Sequence, residues 1–217
     1  MSLLKCIPAF SALAVFINCT PYATRQTGAT QYTTKIAYCE QHFNGVSLSG
    51  QTLLVFPVLT RNGNDTASYF SPRQQIKILQ RIRNDLHFST PDVFEQKYLS
   101  AHDSLSLARF YQSLYKGEVV EAQTSDSIWK AMDAPYVLFV RVLYAVTIRS
   151  FDGNSQRNLH LDAELWDVSS AENVWRVEVT GFDKNKGTTD ARFLTGGLYE
   201  AFGKLPGYLP ANNENNW

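Results

Sequence analysis

Three segments in the C-terminal half decide the fold: residues 134–142 read APYVLFVRV, residues 159–168 read LHLDAELWDV, and residues 174–179 read VWRVEV. The first is apolar at nearly every position and rich in β-branched and aromatic residues, which is typical of a strand buried on both faces. The other two alternate apolar and polar residues, as a strand with one buried and one solvated face does. Short polar turns at residues 152–155 and 169–173 connect them, so the pattern predicts an antiparallel three-strand meander.

Composition limits the class of protein. The chain has 217 residues, of which 44% are hydrophobic and 18% charged, so it can bury one sizeable core. Twenty Lys and Arg residues balance twenty Asp and Glu residues. Nucleic-acid binding usually needs a basic excess gathered on one face, so we predict no nucleic-acid partner.

The amino terminus predicts export. Lys5 precedes an apolar run from Ile7 to Ile17, which is shorter than the ~20 residues that span a bilayer but suits a secretory signal. The run ends at Asn18-Cys19 and resembles a bacterial lipoprotein signal, which implies a signal peptide over residues 1–18 and lipidation of Cys19. Acyl chains such as palmitate, at ~0.8 kcal/mol per buried methylene, would hold the protein on a membrane. Cleavage by an ordinary signal peptidase and an uncleaved amino-terminal anchor remain open alternatives.

Residues 19–50 are interpreted as a tether with an N-terminal extension. Few large apolar groups occur between Thr20 and Thr34, and a coil of ~15 residues reaches only ~20 Å, so the domain would stay near its membrane. With Cys6 lost in the signal and Cys19 lipidated, Cys39 is a lone thiol. Such a thiol is either buried or pairs between molecules, and we favour burial.

Residues 51–205 are predicted to form one folded domain, followed by a C-terminal tail over residues 206–217. The predicted element order is β-α-β-α-α-α-β-β-β-α, in which the first strand covers residues 52–59 and a short strand lies near His87. The helices are expected to start near Pro72, Pro91, Asp103 and Ser125, and the last one near Thr188 or Thr189. The fold class is therefore α/β (α+β): a mixed sheet that ends in the antiparallel meander, with helices mainly on one face.

A family resemblance adds to this reading. The chain looks like the domain shared by the TolB amino-terminal region, the curli-secretion lipoprotein CsgG and the penicillin-binding-protein activator LpoB. The resemblance is carried by residues 54–58 (LVFPV), 134–138 (APYVL) and 161–168 (LDAELWDV), and by Trp175 after the turn. The resemblance covers roughly residues 50 to 205. It implies an α/β envelope domain that works by binding other proteins, and it supplies no catalytic residues and no cofactor.

A polar cluster is the strongest candidate for chemistry. His160, Asp162 and Glu164 share one face of one predicted strand, which suggests a metal site or a carboxylate pair. Alternate strand residues lie ~7 Å apart, within the range for the acid and base of an inverting glycosidase, so peptidoglycan is a conceivable substrate. Arg176 and Glu178 on the neighbouring strand could instead pair with these residues across a solvated face. We favour that salt-bridged surface and predict neither a catalytic residue nor a metal.

Two features could bind partners. Arg73, Lys77 and Arg81 recur every four residues along a predicted helix, where they could meet anionic lipid or an acidic partner, or simply form a charged helix face. Trp166 falls in phase with the polar residues of its strand. It could be an interface anchor, or it could be covered by a helix or by the tail at residues 206–210.

The sequence as a whole predicts a non-enzymatic lipoprotein of the cell envelope. A lipid on Cys19 would tether it, with the outer membrane as the expected site and the domain on the periplasmic or surface side. Its partners would be envelope proteins, and a homo-oligomer would be compatible with this role. One alternative is a subunit of a CsgG-like secretion pore, which needs spare amphipathic strands of ~9–11 residues. The other is a cell-wall hydrolase that uses Asp162 and Glu164.

The lipid anchor gives a first testable prediction. Replacing the acylated residue in Cys19→Ser removes the acyl attachment, so we expect the protein to move from the membrane fraction to the soluble fraction of the cells that make it. Cys39→Ser is the matched control and should stay with the membrane. Equal membrane association of the two variants would contradict lipidation at Cys19.

Overall fold

Eight strands form one mixed sheet in the computed structural model, which describes residues 22–27, 30–41, 43, 48–60, 71–116, 128–149, 155–184 and 188–207. The strands are β1 (Tyr22–Thr27), β2 (Thr30–Cys39), β3 (Thr52–Val55), β4 (Leu59–Thr60), β5 (His87–Ser89), β6 (Tyr136–Arg149), β7 (Ser155–Asp167) and β8 (Glu172–Asp183). Their order is β1-β2-β8-β7-β6-β3-β5, with β4 also beside β6. The helices are α1 (Pro72–Ile82), α2 (Asp92–Leu99), α3 (Ser104–Lys116) and α4 (Asp190–Phe202).

The predicted fold class is confirmed. Strands β6, β7 and β8 pair antiparallel in sequence order and form the predicted meander, whereas β3 pairs parallel with both β5 and β6. The meander strands are longer than the alternating segments suggested, with 14, 13 and 12 residues. A parallel sheet region next to an antiparallel one is what makes this sheet mixed.

One face of the sheet, which we call the inner face, is covered by α1 and α4. Leu138 and Val140 of β6 share a core with Leu161 and Leu165 of β7 and with Trp175 of β8. The helices close this core from above with Ile78 and Leu79 of α1 and with Phe193, Leu194, Leu198 and Phe202 of α4. Alternation along each strand therefore places the apolar half of the meander under helices, as its sequence predicts.

Among the described residues, helices cover the opposite, outer face beside β3 and the start of β6. Leu54, Phe56, Val137 and Phe139 point to this face because they alternate with the inner-face residues. They pack against Phe94 and Tyr98 of α2, Phe110 of α3, and a helical turn at residues 128–131. Helices thus lie on both faces, which corrects the expectation of helices mainly on one face. The part of the prediction that placed a helix start at Ser125 lies outside the described residues.

The N-terminal region corrects the predicted boundaries. Residues 22–27 and 30–39 are strands β1 and β2, and β2 pairs with β8 over nine residue pairs from Thr30↔Asp183 to Cys39↔Trp175. The predicted coil-like tether between Thr20 and Thr34 is therefore wrong for the described residues. The folded domain begins well before residue 51, because β2 lies inside the sheet. The predicted strand over residues 52–59 is split into β3 and β4.

Strand β2 is fixed to the core by one tyrosine. Tyr32 is buried, its ring stacks on Phe193 with 5.6 Å between centroids, and its hydroxyl donates a hydrogen bond to the Phe193 carbonyl oxygen at 2.6 Å. Burial, together with the nearby Asp183 carboxylate, raises the pKa of the Tyr32 hydroxyl. The tyrosine reaches the helix backbone because α4 has glycine at position 196, where a Cβ atom would lie 2.3 Å from the Tyr32 Oη.

This close approach gives a stability prediction. Gly196→Ala must displace Tyr32 and its hydrogen bond; overpacking costs ~1–3 kcal/mol, offset by up to ~1 kcal/mol of helix propensity. We expect a net loss of about 1–2 kcal/mol in the free energy of unfolding, or roughly 2–8 °C in Tm for a chain of this size, measured by urea and thermal denaturation.

The control for this prediction is a double-mutant cycle. Tyr32→Phe removes the oxygen atom that the new methyl group meets first. The loss from Gly196→Ala should therefore be smaller in the Tyr32→Phe background than in the wild-type chain. Strictly additive losses would show that the contact with Tyr32 does not limit position 196.

Candidate functional site

Six charged residues face each other across four adjacent strands on the outer face. Strand register places Lys35 of β2 opposite Glu178 of β8, Glu178 opposite Asp162 of β7, and Asp162 opposite Arg141 of β6. One step along the sheet, Arg176 of β8 is opposite Glu164 of β7. We call this group the charge ladder; its members are Lys35, Arg141, Asp162, Glu164, Arg176 and Glu178.

Both carboxylates of β7 are held between two guanidinium groups. Asp162 Oδ2 lies 2.7 Å from Arg176 Nη2 and 3.4 Å from Arg141 Nη2. Glu164 Oε1 pairs with Arg141 Nη2 and lies 3.7 Å from Arg176 Nε. Each arginine therefore bridges both acids, which neutralises charges that neighbouring apolar residues and the strands themselves shield from water.

The rim of the ladder is more open. Glu178 lies 3.6 Å from Arg176 and 3.9 Å from Lys35, measured between the charged atoms. Three cations and three anions are present, so the ladder has no net formal charge. Such a balanced array offers no electrostatic basis for attracting either an anionic or a cationic ligand.

The structure brings the three residues of the predicted polar cluster together, but it does not place them on a solvated face. Asp162 is only 2% exposed and Glu164 is also buried. His160 Nε2 lies 3.8 Å from Asp162 Oδ1, and the His160 ring packs edge-on against Tyr144. The predicted salt-bridged face is thus found with its Arg176 partner, whereas the prediction that this face is solvated is wrong for Asp162 and Glu164.

Arg141 is the member of the site that sequence reasoning missed. It stands in the apolar run at residues 134–142, whose pattern predicts only a buried strand. A buried arginine requires an anionic partner, and the only nearby acids in the meander are on the polar side of β7. The need of a buried arginine for an anionic partner was therefore the signal in the sequence that could have identified Arg141. It would have predicted that Asp162 and Glu164 are buried together with Arg141.

The geometry does not resemble a glycosidase or a metal centre. Oxygens of both carboxylates contact guanidinium groups, and both side chains are buried, whereas the acid and base of an inverting glycosidase flank a space for sugar and water. Within the described residues, no group of three or more His, Cys, Asp or Glu side chains could hold a metal ion. Asp162 Oδ1, Arg141 Nε and Arg176 Nε have no hydrogen-bond partner among the described residues.

Trp166 belongs to the same cluster and is partly covered. Its indole Nε1 donates a hydrogen bond to Glu164 Oε2 at 3.1 Å. Its ring stacks on Trp129 of the 128–131 helical turn, with 5.5 Å between ring centroids and 19° between ring planes. Of the two readings of Trp166, coverage by a helical segment is therefore the one observed. Residues 208–210 of the tail lie outside the described residues.

The basic stripe lies elsewhere. Arg73, Lys77 and Arg81 are exposed on α1, which packs on the inner face, so they do not join the charge ladder. The Arg81 guanidinium donates a hydrogen bond from Nη1 to the Tyr199 hydroxyl of α4 at 3.0 Å. At least this residue therefore helps to join two helices, in addition to its exposed charge.

Predictions were made for two cysteines, Cys19 and Cys39. Cys19 and the predicted signal peptide lie outside the described residues. Cys39 is half-buried at the end of β2, with Sγ 3.9 Å from the Glu40 carbonyl oxygen. No helix in the described ranges is long and apolar enough to cross a membrane.

The far end of β6 carries several exposed apolar side chains. We call residues 143–149 the β6 arm. Leu143, Tyr144, Val146 and Ile148 are 37%, 45%, 46% and 51% exposed, respectively. The arm pairs with β7 on one side, and no strand among the described residues pairs with its other side. Sequence reasoning ended the strand near Val142 and so missed this surface.

Comparison with known proteins gives structural likeness only. No protein-family model and no curated protein sequence matches the chain. Among solved structures, the PelC dodecamer from Paraburkholderia phytofirmans is 13% identical, with a TM-score of 0.43, and the match covers 80% of this chain and 93% of that one. The lipoprotein GNA1162 from Neisseria meningitidis is 13% identical, with a TM-score of 0.44, over 69% of this chain and 93% of that one.

A third solved structure is the hypothetical protein CT253 from Chlamydia trachomatis. It is 10% identical, with a TM-score of 0.42, over 71% of this chain and 92% of that one. Likeness of this degree does not assign the chain to a family. The resemblance to TolB, CsgG and LpoB therefore stays a prediction.

The charge ladder predicts an asymmetry between its buried and exposed acids. Asp162→Asn removes one buried negative charge from between two guanidinium groups. Because breaking a buried ion pair is strongly destabilising, we expect a loss of about 3 kcal/mol in the free energy of unfolding. Glu178→Gln is the matched control, because the Glu178 side chain is 29% exposed and a surface pair contributes less than ~1 kcal/mol. Urea denaturation of both variants measures the difference. Equal losses would contradict a buried network centred on Asp162.

Proposed function

We propose that this chain is a membrane-tethered, non-enzymatic lipoprotein of the bacterial cell envelope whose domain acts by binding envelope proteins. Three features support the proposal: the lipoprotein-like sequence that ends at Cys19, the buried and balanced charge ladder, and the exposed apolar arm of β6. The arm is the observation that carries it.

The β6 arm is the kind of surface that protein partners use. Soluble proteins rarely expose contiguous apolar side chains without a binding role. Here such side chains lie on a strand whose edge is open among the described residues, so a partner could add both apolar contacts and backbone hydrogen bonds. The arm residues 143–148 include no charged residue and no proline, the features that usually protect an open edge.

The charge ladder supports the non-enzymatic part of the proposal. Asp162 and Glu164 are the acids that a hydrolase would need, yet both contact guanidinium groups and are buried. A second supporting point is that the ladder orients Trp166 against Trp129. Its role is then to connect the meander to the helical turn that precedes β6, which is a structural role.

The position of β1 relative to the arm fits a tethered binding module. Strand β1 begins at Tyr22, three residues after Cys19, and three residues of chain reach at most ~10 Å. Tyr22 lies at the level of Lys35 and Arg141, so the end of the arm at Arg149 is ~20 Å farther along the sheet. Across the sheet, β1 and β6 are four strand spacings apart, a distance of ~19 Å. A lipid on Cys19 would therefore hold the β1 edge and leave the arm free to meet partners.

The alternative of a secretion-pore subunit has weaker support. A strand that crosses a membrane needs ~9–11 residues, whereas the β6 arm offers seven residues beyond its pairing with β4. The rest of β6 is part of the domain core. The arm therefore suits pairing with another protein better than it suits a barrel wall.

Capture from the cell envelope tests the proposal. A C-terminally tagged full-length chain, solubilised in mild detergent, is expected to co-purify envelope proteins. Val146→Lys places a charge in the middle of the arm and should reduce this capture about tenfold or more, the loss typical of a central contact residue. Val93→Lys is the matched control, because Val93 is an equally apolar, 63% exposed residue on α2.

Two results would contradict the proposal. Equal capture by wild type, Val146→Lys and Val93→Lys would remove the arm as the binding surface. Release of peptidoglycan fragments by the wild-type chain, lost in a folded Asp162→Asn variant, would overturn the non-enzymatic part.

A further inference from the structure

We infer that the basic stripe of α1, which consists of Arg73, Lys77 and Arg81, docks on the anionic headgroups of a phospholipid membrane. Docking would turn the helices of the inner face toward that membrane. This contact is additional to the binding of envelope proteins in the proposed function. It rests on that proposal only for the attachment of the chain to a membrane, and it does not depend on the β6 arm.

The stripe occupies the side of α1 that points away from the core. Helix α1 reads PRQQIKILQRI, and its three cations recur at every fourth residue over ~12 Å of helix. All three are exposed, whereas Gln75, Ile78 and Leu79 on the other side of the helix are buried. The stripe is therefore a straight row of positive charge on the surface of the domain.

No acid neutralises these charges in the part of the chain that the structure describes. Helix α1 contains no Asp or Glu, and no ion pair joins a stripe residue to a described carboxylate. Acids on neighbouring elements have other partners: Asp85, which follows α1, pairs with Arg83, and Asp190 of α4 pairs with Arg157. The stripe differs in this respect from the charge ladder, whose charges balance.

The remaining acid of α4, Glu200, lies near Tyr32 of β2. Burial, the Asp183 carboxylate and the Glu200 carboxylate raise the pKa of the Tyr32 hydroxyl. The residue of α4 that contacts the stripe is instead Tyr199, whose hydroxyl accepts a hydrogen bond from Arg81. A neutral tyrosine, and not an acid, is therefore what α4 presents to Arg81.

The stripe does not serve the stability of α1. Arg73 lies in the first turn, where the helix dipole disfavours a cation, and this turn contains no acid. Like charges four residues apart also repel each other, and the stripe contains two such pairs. Three positive charges that weaken their own helix favour a use outside the domain.

The polar character of this side of α1 favours lipid headgroups over a protein. Gln74 and Gln80 are also exposed here, whereas Ile76 and Ile82 pack on the core of the inner face. Protein interfaces normally have an apolar or aromatic centre, and an anionic bilayer needs none. Each Lys or Arg at such a surface contributes ~1 kcal/mol, or about fivefold in binding, so three cations favour an anionic over a neutral surface by about 100-fold.

The stripe is far from the predicted lipid anchor. Helix α1 lies beside β3, because Gln75 Nε2 donates a hydrogen bond to the carbonyl oxygen of Phe56 at 2.7 Å. Tyr22, the residue of β1 closest to Cys19 in the chain, is at the far end of the strand order. Strands β1 and β3 are five strand spacings apart, a distance of ~24 Å. Two membrane contacts this far apart would fix the orientation of the domain.

This orientation would leave the β6 arm accessible. Tyr144 lies opposite His160 of the outer face, and Val146 and Ile148 follow Tyr144 on that face by alternation. The stripe is on the inner-face side of the sheet. A membrane contact through α1 therefore directs the apolar side chains of the arm away from the membrane.

Lysine footprinting tests the docking in the full chain. The chain is made in bacterial cells, purified in mild detergent and reconstituted in nanodiscs of phosphatidylglycerol or of phosphatidylcholine. Acetylation of Lys77, followed by mass spectrometry, should be about fivefold slower or more in the anionic discs. Salt at ~1 M, where the Debye length is ~3 Å, should remove the difference. Lys97 is the internal control: it is exposed on α2, which packs on the outer face, and its rate should be the same in both discs.

Two matched variants test the stripe itself. Arg73→Gln removes one cation and should weaken docking, as read from the Lys77 rate, about fivefold. Arg109→Gln removes one exposed cation from α3 on the outer face and should leave the Lys77 rate unchanged. The urea midpoint of Arg73→Gln should not fall, because a cation in the first turn does not stabilise a helix. A loss of protection would then not reflect unfolding.

Equal Lys77 rates in the two kinds of disc, or equal effects of Arg73→Gln and Arg109→Gln, would overturn the docking. Protection of Lys77 that appears only after envelope extract is added would also overturn it, because an acidic protein would then be the partner. Failure of the docking can be separated from failure of the proposed function. A chain that stays in the discs with Lys77 unprotected refutes the docking alone, and a chain that stays in neither kind of disc refutes both the docking and the membrane attachment.

Discussion

The structure depends on the shared neutralisation of two carboxylates by two arginines on the outer face of the meander. Asp162 and Glu164 come from β7, Arg141 from β6 and Arg176 from β8, so the four charges can be buried only if these three strands keep their register. A slip of one of these strands by one residue would turn its charged side chains to the inner face, among the apolar side chains beneath α1 and α4. The apolar core sets the strength of the sheet, but the charges specify how its strands align. Through Glu164 the network also fixes Trp166, and through Trp129 it orders the turn that leads into β6.

The meander could be predicted from sequence because its signal is strong and local. Alternating leucines in residues 159–168 and the tryptophan and valines of residues 174–179 define a buried side, and short polar turns allow one simple connection. Strands β1 and β2 lack such a signal. Residues 22–39 are rich in threonine and glutamine, and a composition of this kind suits a tether as well as an edge hairpin. Their strand state depends on long-range contacts, above all the insertion of Tyr32 against Phe193 of α4, which is 161 residues away.

The sequence predicted which residues form the candidate site, but it did not predict how deeply they are buried. Alternation indicates which side of a strand a residue occupies, and it correctly grouped His160, Asp162 and Glu164. It does not indicate how deeply that side is covered, because depth depends on neighbouring strands and on side-chain pairs such as Arg141 with Glu164. The β6 arm was missed for a related reason. Its sequence LYAVTIR continues the strand pattern, and the exposure of Leu143, Tyr144, Val146 and Ile148 depends on what packs around the strand, which the pattern does not indicate.

The hairpin of β1 and β2 has a mechanical consequence. Strand β1 is joined to the sheet by its six residue pairs with β2, from Tyr22↔Lys35 to Thr27↔Thr30, and it is the first element after the lipoprotein-like sequence. Any tension between a membrane anchor and the domain would therefore load this edge first. A force along the strand would load the hydrogen bonds of all six pairs together. A force across the sheet would break the hydrogen bonds of one pair after another. If Cys19 carries the proposed lipid, the direction of the force, and not only the stability of the core, would decide when β1 leaves the sheet and lengthens the tether.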